Sequence, residues 1–122
     1  MSEHERPRRL HHLLLQTSDL EATERFFLEV LGFTVRKREA FTDGRPLTVT
    51  YEGLGLTSGA PGEAGAVEHI AFRVSGVRAL AERAREAGAV ILKEPGPGPY
   101  GLTVYVADPD GNRIELFAEG EE

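Results

Sequence analysis

An internal repeat restricts the fold of this chain more than any other feature of its sequence. Residues 12–18 and 69–75 are strand-like segments that match at a constant spacing of 57 residues, and each leads into a helical pattern. Ser18 pairs with Ser75 in this match, and Ser18 followed by Glu21 predicts a capping box at the start of the first helix. Gly32 and Gly88 close the two helical patterns, as expected for residues that end a helix in the left-handed conformation. The repeat predicts two copies of one supersecondary unit.

Three further strands are predicted after each closing glycine. They cover 33–41, 47–52 and 54–57 in the first half, and 90–93, 102–107 and 113–118 in the second. The Gly/Pro-rich stretch 95–101 is predicted to be a loop. Each half is therefore a β-α-β-β-β module. We predict one α+β domain over 1–122, with module 10–57, linker 58–66 and module 67–118. One module cannot cover both faces of its sheet, so the modules should pair into a curved mixed sheet around a cleft, with the helices on the outer face.

Composition excludes several classes of function. The chain has 122 residues, 40% of them hydrophobic, which suits one compact domain. The absence of cysteine excludes disulfide scaffolds, zinc ribbons and cysteine nucleophiles. A net charge of −6 disfavours nucleic acid as a partner. No apolar run reaches the length of a membrane span and no signal-peptide pattern opens the chain, so we expect no membrane association and a cytoplasmic location.

Strand alternation predicts that two histidines and an acid lie on the sheet faces that point away from the helices. The apolar residues of each first strand must pack under the helix, so His12 and His69 point to the opposite side of the sheet. On the last strand, Glu115 shares that side. If the sheets curve, the three side chains converge in one cleft. Two imidazoles and a carboxylate with open positions suit one divalent metal ion, which could be Fe, Mn, Ni or Zn.

Other polar residues are candidates for catalysis or substrate binding. Tyr105 is a candidate proton donor and Glu52 a candidate base. Three more residues, predicted on the histidine side of the strands, are candidates for substrate binding: Gln16, Arg73 and Thr103. Each has a simpler interpretation. Glu115 could be an ion-pair partner of Arg73, Tyr105 a packing residue of its strand, and Glu52 a structural or solvated acid.

Four stretches carry a resemblance to a known family. They are His12 with Ser18-Asp19-Leu20, residues 27–33, residues 67–72, and residues 107–116 with Asp108-Pro109-Asp110-Gly111 and Ile114-Glu115-Leu116. Together the paired modules resemble the vicinal oxygen chelate superfamily, which includes glyoxalase I, extradiol dioxygenases, fosfomycin-resistance transferases and bleomycin-resistance proteins. The resemblance covers about residues 10–117.

The resemblance implies roles for particular residues. His12, His69 and Glu115 fall on the family's metal-ligand positions, and Thr103 and Tyr105 match positions of the transferases. A fourth carboxylate ligand of glyoxalase I falls here on Gly55. The expected function is a divalent-metal-dependent enzyme, such as a lyase, isomerase, transferase or extradiol dioxygenase, acting on a small substrate that chelates the metal through adjacent oxygens. The alternative is a metal-free drug- or ligand-binding protein of the bleomycin-resistance type. A homodimer is expected, with the cleft either within one chain or shared between two.

Overall fold

The computed structural model of the protein describes residues 9–59 and 68–120. The first half contains β1 (Leu13–Thr17), α1 (Leu20–Glu24), a π-helical segment (Arg25–Val30), β2 (Val35–Ala40), β3 (Pro46–Thr50) and β4 (Leu54–Ser58). The second half contains β5 (Ile70–Arg73), α2 (Val77–Glu86), β6 (Ile91–Gly98), β7 (Gly101–Ala107) and β8 (Arg113–Ala118). Residues 60–66 of the predicted linker, and residue 67, lie outside the described residues.

Each half forms a four-stranded mixed sheet, and the two sheets have the same topology. The strand orders are β1-β4-β3-β2 and β5-β8-β7-β6. The first strand of each half pairs in parallel with the last strand, and all other pairings are antiparallel. The α+β class and the repeated β-α-β-β-β module are confirmed.

The helix ends follow the predicted glycines but not the predicted N-terminal cap. Gly32 and Gly88 both have φ of +83°, the left-handed conformation that a residue with a Cβ adopts at a cost. The expected capping pair of Ser18 and Glu21 is wrong. Asp19 is the cap, and its side chain accepts a hydrogen bond from the Ala22 amide at 3.0 Å. Ser18 instead donates to Asp110 at 2.6 Å and so links the two modules.

One continuous core joins the modules on their helix sides. The helix-facing residues of β4, β7 and β8 are almost fully buried, among them Leu54, Leu56, Val104, Ile114 and Leu116. The rings of Phe33 and Phe72 meet edge to face across the module boundary, with centroids 4.8 Å apart. The predicted alternation of strand faces is confirmed. The opposite face of each sheet is left to form a site.

The second module departs from prediction at its edge. The expected loop 95–101 is wrong over 95–98, because β6 continues to Gly98 and pairs Gly96 with Thr103 and Pro97 with Leu102. Proline is tolerated there because β6 is an edge strand, where an outward-facing position needs no N–H donor.

No helix within residues 9–59 and 68–120 is long and apolar enough to cross a bilayer. The cytoplasmic location stays a prediction from the sequence.

Candidate metal and substrate site

Four of the predicted site residues come together on the open face of the second sheet. We call His69, Thr103, Tyr105 and Glu115 the second-module cluster. The Nε2 atom of His69 lies 3.3 Å from Oε1 of Glu115. Thr103 donates its hydroxyl to Oε2 of Glu115 at 2.7 Å. The rings of His69 and Tyr105 meet edge to face, with centroids 5.6 Å apart.

The register of the strands brings these side chains together. Tyr105 of β7 lies directly opposite Glu115 of β8, and Thr103 is two residues farther along the same face. Glu115 is only 4% exposed. A buried carboxylate is costly unless it is hydrogen-bonded or paired with a cation, and Thr103 and His69 meet part of this need. A divalent cation would meet the rest.

Tyr105 is held in its protonated form. Partial removal from water raises the pKa of its phenol, and the adjacent charge of Glu115 and a hydrogen bond to that carboxylate raise it further. The hydroxyl is therefore available as a donor at neutral pH.

Glu68 orients the His69 imidazole, a role that the sequence analysis missed. Its Oε1 lies 2.9 Å from Nδ1 of His69 and 3.2 Å from Nη1 of Arg113. The hydrogen bond with His69 is the main cause that lowers the pKa of Glu68, so this carboxyl is ionised at neutral pH. A carboxylate on the second ring nitrogen is the usual support of a metal-binding histidine, and it leaves Nε2 facing Glu115. The sequence carried one signal for this role, because the acid Glu68 directly precedes the candidate ligand His69.

The open face of the first sheet forms a different environment, which we call the first-module cavity. It has a volume of about 490 Å³ and is lined by His12 together with apolar residues that include Leu14, Leu47 and Val49. His12 is exposed, and its Nδ1 lies 2.7 Å from Nδ1 of His11, which also lines the cavity. The sequence analysis gave His11 no role.

The strand registers show which residues are equivalent in the two modules. Gly55 lies opposite Leu14 of β1, and Glu115 lies opposite Ala71 of β5. Leu14 and Ala71 are themselves related by the 57-residue repeat, so Gly55 occupies the position of Glu115. A side chain at Gly55 would meet Leu14 Cδ1, 3.2 Å from the Cβ position. The first module therefore offers a histidine without a carboxylate.

The predicted three ligands do not converge within one chain. Among residues 9–59 and 68–120, no group of three His, Asp or Glu side chains is arranged to hold a metal ion. His69 and Glu115 fit as two ligands of a divalent cation, because an imidazole nitrogen and a fixed carboxylate oxygen face each other. His12 belongs to the first-module cavity.

Two other predicted residues, Glu52 and Arg73, make contacts away from the second-module cluster. Glu52 accepts a hydrogen bond from the Thr34 amide at 3.0 Å, which fixes the entry to β2. Arg73 donates to Glu119 at 2.8 Å and not to Glu115.

Gln16 is exposed and lies beside Gly59, where a Cβ would be 3.4 Å from its Cδ. The proposed roles of Glu52, Arg73 and Gln16 stay predictions.

Comparison with known proteins agrees with this architecture. The family described as the Glyoxalase/Bleomycin resistance protein/Dioxygenase superfamily matches residues 9–116. A lactoylglutathione lyase of Neisseria meningitidis is 33% identical over 124 residues, covering 89% of each chain. The glyoxalase I of Leishmania major, described as trypanothione-dependent, superposes with a TM-score of 0.76 at 28% identity, covering 93% of this chain and 88% of that one. An antibiotic binding protein from Streptomyces, 22% identical with a TM-score of 0.73 over 93% of this chain and 98% of its own, shares the fold.

Proposed function

Because the chain belongs to the Glyoxalase/Bleomycin resistance protein/Dioxygenase superfamily, we propose that it is a divalent-metal-dependent enzyme. Its substrate would be a small molecule that presents two adjacent oxygen atoms. The observation that carries the proposal is the second-module cluster, where buried Glu115 faces Nε2 of His69 at 3.3 Å. A carboxylate fixed by Thr103 and an imidazole fixed by Glu68 are arranged as metal ligands are.

His12 is the proposed third ligand, and it would come from a second copy of the chain. Within the described residues His12 does not join His69 and Glu115, and both open sheet faces point away from the shared core. A homodimer in which the first-module cavity of one copy covers the second-module cluster of the other would complete two such sites. In this arrangement, each half-site with His12 from one copy would meet a half-site with His69 and Glu115 from the other copy.

The chain's own residues would divide the work of the site. When bound, the metal would act as a Lewis acid on the chelating oxygens of the substrate. Tyr105 would donate a hydrogen bond from its phenol, because its raised pKa makes it a weaker acid than a free phenol. Thr103 would hold the Glu115 carboxylate in place. The apolar wall of the first-module cavity would exclude water from the reacting oxygens.

The glycine at position 55 narrows the reactions that the proposed site could catalyse. The position offers no fourth carboxylate, so a metal would have three protein ligands and more open positions for substrate. This favours a reaction that needs chelation and polarisation over one that needs a second acid for proton transfer. The missing acid therefore favours an extradiol dioxygenase or a transferase, whereas the lyase activity named for the relatives is supported by sequence similarity.

Metal analysis of the purified full-length protein tests the proposal. The protein is loaded with Fe(II), Mn(II), Ni(II) or Zn(II), desalted, and its metal content measured. We expect near-stoichiometric metal in the wild type and loss of metal in His12→Ala, His69→Ala and Glu115→Gln. His4→Ala, which removes a histidine that is not among the proposed ligands, is the matched control. A wild type that retains none of these metals would contradict the proposal and favour a metal-free binding protein of the bleomycin-resistance type.

A further inference from the structure

A bulge in β2 places two consecutive basic side chains on one face. The pairing of β2 with β3 steps from Val35↔Thr50 to Lys37↔Val49, which leaves Arg36 as the extra residue. Consecutive side chains of a regular strand point to opposite faces, but Arg36 and Lys37 both line the first-module cavity. Bulges commonly re-aim a side chain in this way.

The two cations differ in what neutralises them. The Lys37 ammonium lies 3.2 Å from Oε1 of Glu39, which lines the same cavity. Within residues 9–59 and 68–120, Arg36 forms no ion pair and no side-chain hydrogen bond. The next residue, Arg38, donates to Glu24 at 2.7 Å, on the helix side of the sheet. Arg36 is exposed and lines the cavity without an acidic partner among the described residues, in a chain of net charge −6.

The fold itself does not require arginine at this bulge. The second module has the same irregularity, since β6 and β7 step from Ile91↔Val106 to Lys93↔Tyr105. The residue equivalent to Arg36 is Leu92, which is 44% exposed. The same backbone geometry therefore accepts an apolar side chain, so Arg36 is a property of the first-module cavity alone.

The surroundings of Arg36 define the chemistry of a ligand. Apolar side chains, among them Leu14, Leu47 and Val49, contribute to the lining of the cavity, and Gly55 lines it without a side chain. A guanidinium presents a planar fork that binds a carboxylate through two parallel hydrogen bonds. An apolar lining with one such fork beside it suits a molecule that has an apolar body and one carboxylate.

We propose that Arg36 is a specificity-determining residue that binds a carboxylate on a substrate whose apolar portion occupies the first-module cavity. This inference deepens the proposed function and rests on it for the identity of the bound molecule as a substrate. Arg73, the arginine that the sequence predicted for substrate binding, differs from Arg36 in that its guanidinium is engaged by Glu119.

A matched pair of probes tests the inference by calorimetry on the full-length protein. Phenylacetate and phenylacetamide have nearly the same shape and differ in charge. We expect the wild type to bind phenylacetate about tenfold more tightly, the effect of one charge-assisted contact at a partly exposed site. Arg36→Gln should abolish this preference while leaving binding of the amide unchanged. Arg36→Lys should retain only part of the preference, because the charge remains and the fork is lost.

The controls separate this inference from the proposed function. Arg85→Gln removes one positive charge from α2, where Arg85 pairs with Glu82 and Glu94, and should leave the preference intact. Titrations with and without Zn²⁺ show whether the preference depends on metal, and the metal content of Arg36→Gln should equal that of the wild type. A wild type that binds both probes equally or neither, or an Arg36→Gln variant that keeps the preference, overturns the inference. A wild type that binds no metal overturns the proposed function, and with it the identity of the bound molecule as a substrate, but leaves Arg36 as the carboxylate-binding residue of the cavity.

Discussion

Gly55 and Glu115 occupy equivalent positions in the two modules, each one residue into the parallel pairing of the first and last strands. One copy of the repeat thus keeps a buried carboxylate beside a histidine, and the other has a glycine covered by Leu14 and Leu47. The same division extends to β3 and β7, because Val49 lies opposite Gly55 where Tyr105 lies opposite Glu115. At these positions the second module therefore presents polar side chains on its open sheet face, and the first module presents apolar ones.

Restoring an acid at position 55 should strengthen metal binding. We expect Gly55→Glu to raise affinity for a divalent ion by roughly tenfold or more, since even outer-shell partners are worth 10–100-fold. The new Cβ would lie 3.2 Å from the flexible end of Leu14, so a small side-chain shift suffices. Competition with a chelator gives the affinity. Gly55→Ala adds the same Cβ without the carboxylate and should leave the affinity unchanged; an equal gain in both variants would contradict the assignment.

Removing the Thr103 hydroxyl should weaken both the fold and the site. Thr103→Val leaves Oε2 of buried Glu115 without its donor, at a cost of about 1–3 kcal/mol in the free energy of unfolding. Urea unfolding measures this loss, and metal affinity should fall with it, because Glu115 is no longer held in place. Thr103→Ser retains the hydroxyl and should behave like the wild type. Unchanged stability in Thr103→Val would show that another group satisfies Glu115.

A site shared between two copies predicts complementation. His12→Ala and Glu115→Gln should each lose metal alone. Mixed under conditions that exchange subunits, they should regain part of it, since a heterodimer joins one intact His12 to one intact Glu115. Metal content before and after exchange is the measurement, with sedimentation to establish the dimer. No recovery from a mixture shown to contain heterodimers would place the whole site within one chain.

Glu24 should make stability depend on pH. Burial alone would raise its pKa, but hydrogen bonds from Thr48 and Arg38 and the charge of Arg38 outweigh this and lower it. Since the carboxyl binds its proton less readily in the folded state, its contribution is present above the unfolded pKa and lost as pH falls through the lowered folded value.

Glu24→Gln should therefore cost about 1 kcal/mol at neutral pH and nothing once the wild-type carboxyl is protonated. Urea unfolding as a function of pH measures the difference. Glu21→Gln is the control, because its pairing with Arg25 is exposed on both sides and should add little at any pH. A constant difference across the acidic range would assign the cost of Glu24→Gln to shape alone.

The sequence was sufficient for the repeated module and for the grouping of the residues in the second-module cluster. Period-two alternation put Tyr105 and Glu115 on the same face, and the 57-residue spacing placed His69 beside that face. These are local regularities of strands, so they can be read from the chain. The resemblance to the family implied that Gly55 stands where an acid is expected, and the strand register shows that Gly55 occupies the position equivalent to Glu115.

Contacts that cross between elements could not be read from the chain, because they depend on how its parts pack. Ser18 looked like a helix cap but bonds Asp110, 92 residues away, while Arg73 turns to Glu119. The bulge at Arg36 breaks the alternation on which the sequence analysis relied. Periodicity fixes which face a side chain occupies within its own strand. The partner that a side chain meets depends on how separate strands and modules pack. This packing places His12 of the first module apart from Glu115 of the second.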